Sequence, residues 1–171
     1  NSPSEMTAEN TYASPYYTNL RVNKLYGGMA QDRTYAQDLS IVWNLNSDIE
    51  LVDGLGSDAT NATSERGNMN YNADPGWSKI AGVWDALYGV IEDANDVVDG
   101  VRNSDVYQNG SKSDKAAMGR YLGEALTLRA QCYLDLVRFF GDVPFKAESS
   151  KSDLSNAYLY KMDRDSIYLK S

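Results

Sequence analysis

The chain has 171 residues, 16 basic and 24 acidic, for a net charge of −8, and a mean hydropathy of −0.52. That is one domain's worth of chain, long enough to bury a core, and its acidity argues against nucleic acid and anionic membrane surfaces as partners. With no His and one Cys, Ser-His-Asp and Cys-His catalysis, His-ligated metals and an internal disulfide drop out together.

Residues 1–13 (NSPSEMTAENTYA) are polar and aperiodic, and read as an extended lead-in. Ser14-Pro15 signals a helix start, a side-chain oxygen to cap free amides followed by a proline whose missing N–H costs nothing in the first turn. Tyr17, Leu20, Leu25 and Met29 recur along that helix, and Gly27-Gly28 loosens its end. Tyr35, Leu39, Val42, Trp43 and Asn46 share a face in a second segment, either a separate short helix or the first continued across a kink. Residues 52–76 are rich in Gly and Asn and nearly free of aliphatic side chains after Leu55. They predict a long irregular loop of the kind that is either functional or disordered. Asp53 to Asp58 has a calcium-loop-like spacing but lacks the further acids and closing Glu of an EF-hand, so no metal is expected.

Asp74-Pro75 repeats the cap-then-proline device. Trp77, Ile80, Ala81, Trp84, Leu87, Tyr88, Ile91, Ala94, Val98 and Val101 then form one helical stripe, while Asp85, Glu92, Asp93, Asp96 and Asp99 mostly face away. Gly82 and Gly89 mark candidate points of close backbone approach. Residues 103–110 read as a turn, and Ser111 to Asp114 as a capping box or close variant. In the helix that follows, Tyr121, Leu122, Ala125, Leu128, Cys132, Leu136 and Phe139 share a stripe, which makes Cys132 a buried apolar residue. Arg120–Glu124 and Asp135–Arg138 are spaced as surface ion pairs, and Glu124 and Arg129 are expected to fix helix contacts. Gly141 closes the helix and Pro144 prevents its resumption. Residues 146–156 read as a polar linker, and Asp163 to Ser166 as the start of a last helix with Ile167, Tyr168 and Leu169 on its apolar face.

The order Glu124, Ala125, Leu128, Arg129, Ala130, Tyr133, Leu136, Arg138, Gly141, Asp142, Val143, Pro144 resembles a signature of the SusD/RagB-like family, surface glycan-binding lipoproteins of Bacteroidetes. Trp84, Leu87, Tyr88, Ala94 and Asn95 match a second one. The resemblance implies an all-α fold of tetratricopeptide-like antiparallel helix pairs, interrupted by the 52–76 loop. It also implies that residues 1–171 are the N-terminal helical portion of a longer protein. Its implied role is non-catalytic: binding an oligo- or polysaccharide at the extracellular face of the outer membrane and delivering it to a SusC-like TonB-dependent transporter. The lipid anchor and signal peptide would lie upstream of Asn1, and no cofactor is implied.

The residues themselves agree that catalysis is absent, because the carboxylates are scattered and no nucleophile–base pair exists. Thirteen Tyr and three Trp stand against three Phe; flat apolar faces with polar tips suit neutral sugars or a protein partner. The 52–76 loop and its exit hold aromatic, amide and charged groups together. Asp58, Arg66, Asn70, Tyr71 and Trp77 are therefore the candidate ligand-binding residues. The alternative is a non-catalytic helical-repeat scaffold for protein–protein interaction.

Overall fold

In the computed structural model, residues 8–44, 49, 78–150 and 159–171 are described. The chain forms two compact units, residues 1–27 with 88–171, and residues 28–87. The described elements are helical apart from one two-residue strand pair, in agreement with the expected fold class.

The first unit opens with a helical turn, α1 (Ala8–Thr11), within the expected extended lead-in. Tyr12, directly after it, is only 5% exposed, and its hydroxyl donates to Asp96 at 3.0 Å. A buried aromatic ring holds this segment down, which the polar composition around it conceals. Helix α2 (Pro15–Met29) starts where the cap predicts: the Tyr17 amide donates to Ser14 Oγ at 3.4 Å. Its buried line is Thr18, Val22 and Leu25, whereas Tyr17 and Leu20 are exposed. Grouping by side-chain polarity alone misplaced that face, because a Thr hydroxyl that donates to the preceding turn is free to be buried. Thr18 Oγ1 donates to the Ser14 carbonyl at 2.9 Å.

Helix α4 (Ser78–Arg102) contributes its residues from Tyr88 onward to this unit. Arg21 reaches Asp96 at 3.2 Å and Lys24 reaches Asp93 at 2.7 Å, so α2 and α4 run antiparallel. The acidic side chains of α4 thus bind neighbouring elements rather than simply facing water. Gly89 has open space around it. The close approach falls instead at Gly100, where any Cβ would collide with the Tyr12 ring. Residues 103–110 contain a short helix, α5 (Asp105–Asn109), because Ser104 Oγ caps it from the Tyr107 amide at 3.2 Å.

Helix α6 (Lys112–Phe140) is capped at its start by Ser111 Oγ accepting from the Asp114 amide, and is closed by Gly141 at φ 73°. Asn95 on α4 meets Arg129 on α6 and Tyr88 meets Tyr133, so this pair is antiparallel too. Tyr12, Val22, Leu25, Ala94, Val97, Val98, Val101, Met118, Tyr121 and Ala125 form a core shared by α2, α4 and α6. Each fully buried Val, Leu or Met there contributes about 1.5–3 kcal/mol. Cys132 is inert as expected, with burial pushing its thiol up to about 12. Asp135 is not on the surface: it has no solvent exposure. Arg120–Glu124 does form, at 3.5 Å. After α6, β1 (Val143–Pro144) pairs antiparallel with β2 (Lys161–Met162), and α7 (Arg164–Lys170) follows, capped by Asp163 accepting from the Ser166 amide at 3.0 Å. Ile167 is buried there, while Tyr168 and Leu169 are exposed.

The second unit contains a π-helical turn, Asp32–Ala36, then a separate short helix, α3 (Asp38–Asn44), and the start of α4 up to Leu87. Thr34 makes the kink at φ −114°, ψ −126°, with its hydroxyl within 3.0 Å of the Gly28, Met29 and Gln31 carbonyls. Leu39 is fully buried, as expected, while Asn46 lies outside the described residues. Lys79 pairs with Asp38 at 2.8 Å, both largely buried, and Gly82 lies against the Arg33 side chain.

Candidate functional site

Asp58, Arg66, Asn70, Tyr71 and Trp77 all lie outside the described residues, as do the 52–76 loop and the Asp53–Asp58 spacing. Among the described residues no group of three or more His, Cys, Asp or Glu side chains is placed to hold a metal ion. Two other polar surfaces are defined, one internal and one external.

The internal one begins where α6 stops. After Gly141 the chain passes β1 and continues to Ser150 beside α4. Pro144 accepts from Tyr88 at 2.6 Å, Lys146 from Asn95 at 3.1 Å, and the Ser149 amide donates to Asp99 at 3.0 Å. Residues 144–150 thus lie against the Tyr88–Asp99 part of α4. From α6, Arg129 donates to Asn95 Oδ1 at 2.9 Å and to the Ala147 carbonyl at 3.1 Å. Tyr133 both donates to the Lys146 carbonyl at 2.9 Å and accepts from its amide at 2.7 Å. The Tyr133 ring also stands 4.8 Å from that of Phe145, centroid to centroid. Glu92 receives Lys146 Nζ at 2.8 Å and the Ser150 amide at 2.7 Å. Lys146 Nζ additionally donates to Ser150 Oγ.

Burial pushes Tyr133 up to about 12 and lowers Arg129, though not enough to discharge a guanidinium. Burial also pushes Glu92 up, but the hydrogen bonds from Lys146 and Ser150 outweigh it and hold the carboxyl below its ordinary value. These side chains are occupied by backbone carbonyls and amides of residues 144–150. The cluster is therefore a clamp that fixes the chain after α6. Residues 146–150, read from composition as linker, are part of the packed structure, and Ser149 is 3% exposed. The available signal was Asn95 and Arg129 inside apolar stripes, since a buried polar side chain requires a partner.

The external surface is the outer side of α2. Tyr16 and Tyr17 are 68% and 43% exposed, with ring centroids 5.3 Å apart at 72°. Leu20, one turn on, is 43% exposed. Sequence reasoning passed over Tyr16 and assigned Tyr17 and Leu20 to the core.

Antiparallel helices about a shared core place the chain in the class of all-α, tetratricopeptide-like domains. The chain belongs to the SusD-like family: residues 7–167 match the family described as starch-binding and associating with the outer membrane. It is similar to a SusD-like protein of Formosa agariphila, with 28% identity over 134 residues, covering 77% of this chain and 23% of that protein. It is also similar to the crystal structure of a SusD homolog from Bacteroides thetaiotaomicron, at 26% identity and a TM-score of 0.83, covering 97% of this chain and 30% of the other. The chain thus spans less than a third of the length of either relative.

Proposed function

We propose that the chain is the N-terminal helical part of a non-catalytic glycan-binding protein of the outer membrane. The observation that carries this reading is the family match over residues 7–167, a family described as starch-binding and associating with the outer membrane. The protein would be lipid-anchored at the extracellular face and deliver oligosaccharides to a SusC-like TonB-dependent transporter. The 52–76 loop and its exit supply the ligand contacts. Tyr71 and Trp77 offer ring faces, and Asp58, Arg66 and Asn70 offer hydrogen bonds to hydroxyls.

Affinity electrophoresis of the full-length gene product against soluble starch, xylan, galactan and laminarin tests the reading. At least one polysaccharide should retard the wild type, and Trp77→Ala and Tyr71→Ala should reduce that retardation. If none retards it, the glycan reading fails. A cysteine closing a signal peptide upstream of Asn1 would support the anchor. Co-purification with the transporter tests the delivery step.

A further inference from the structure

We propose that the outer face of α2 is an additional carbohydrate-contacting surface, in which Tyr16 and Tyr17 stack on sugar rings and Asn19 and Asn23 bind hydroxyls. This rests on the glycan-binding reading and gives it a location within the described residues.

Geometry comes first. At 100° per residue, Tyr16, Leu20, Asn23 and Gly27 fall on one stripe of α2, flanked by Tyr17 on one side and Asn19 on the other. The stripe runs from Tyr16 to Gly27 and is therefore about 16 Å long at ~1.5 Å per residue, room for a short oligosaccharide. Tyr16, Tyr17, Leu20, Asn23 and Gly27 are exposed, and a Cβ built at Gly27 would meet nothing within 4 Å. The far end of the stripe is thus open backbone.

Charge then selects the occupant. The cations beside the stripe are already matched, Arg21 by Asp96 at 3.2 Å and Lys24 by Asp93 at 2.7 Å. No acidic residue lies on α2. The face is locally neutral on a chain of net charge −8. An acidic partner meets overall repulsion there, and a basic one finds no carboxylate on the helix. The side-chain amides of Asn19 and Asn23 have no hydrogen-bond partner among the described residues, so their donors and acceptors are unspent. Two edge-to-face phenol rings with adjacent free carboxamides match a neutral polyhydroxylated ring, whose C–H face stacks while its hydroxyls bond. Leu20 is the single aliphatic side chain on this stripe, so the contact surface is made mostly of rings and carboxamides.

The test uses whichever polysaccharide of the panel above retards the full-length wild type. Tyr16→Ala/Tyr17→Ala should weaken binding about tenfold, the sum of two aromatic stacking contributions. Tyr16→Phe/Tyr17→Phe should keep most of the affinity because the ring faces remain. Circular dichroism melts control for folding, and they should be unchanged because both side chains are exposed. If the Ala pair binds like the wild type while Trp77→Ala does not, the α2 surface is refuted and the loop reading stands. If the Phe pair loses as much as the Ala pair, stacking is refuted. If nothing retards the wild type, both readings fall.

Discussion

Asp135 is a carboxylate with no solvent exposure and one satisfied oxygen: Oδ2 accepts from Gln131 at 3.0 Å, while Oδ1 has no partner among the described residues. Burial raises its pKa to about 6, with Arg138 pulling the other way. Because the folded protein holds this proton more tightly than the unfolded chain does, the group stabilises the fold most below its ordinary value of 3.8. That contribution is lost as pH rises to about 6, and the loss is complete above. Asp135→Asn should therefore raise unfolding free energy at pH 7.5 by about 1–2 kcal/mol and leave it nearly unchanged at pH 4. Urea melts at the two pH values check both size and sign. Arg129 is the opposite case, a buried charge whose removal strands Asn95 Oδ1 and the Ala147 carbonyl. Arg129→Ala should cost about 3 kcal/mol, with faster amide exchange in residues 146–150. That Arg129 is structural could be read from its place among apolar neighbours. Its partners could not, because they come from a segment whose composition looks solvated.

At the level of elements, starts and stops were the most legible features. Ser14, Ser111, Asp163 and Gly141 each act where local chemistry places them, since a cap involves only residues within a turn of itself. Helix faces were less legible. Thr18 is buried and Tyr17 exposed on the same helix, a choice made by what packs against it rather than by polarity. The approach of Tyr12 to α4 at Gly100 was hidden for the same reason, the ring standing 88 positions earlier in the chain. Gly100→Ala should cost about 1–3 kcal/mol through overpacking against Tyr12. In a double-mutant cycle with Tyr12→Ala, most of that penalty should vanish. Equal penalties in both backgrounds would mean that the two residues do not meet. The clamp has its own pH dependence. Glu92 has a lowered carboxyl pKa, so its contribution is present above its ordinary value of 4.5 and is lost as pH falls through the folded value. Glu92→Gln should mimic that loss at neutral pH, seen as faster amide exchange at Ser150.

For the molecule as a whole, family membership was legible because the signature is a clamp and a helix stop together, dense in residues with fixed roles. The ligand contacts were not, because Asn, Tyr and Gly in a polar stretch serve a turn as readily as a sugar. The proposed neutral glycan ligand on a chain of charge −8 implies one further outcome. Glycan affinity should change less than about twofold between about 50 and 500 mM NaCl, whereas an ionic partner would be screened over that range. Isothermal titration at the two concentrations decides it.

Cys132 is 0% exposed on α6 and is the chain's sole thiol. A colourless disulfide reagent that releases a coloured product can reach it only when α6 leaves its neighbours. Labelling kinetics in dilute denaturant would then time the opening of that helix in the unmodified protein. Molecules in the closed state stay dark, and each one that opens reports itself once.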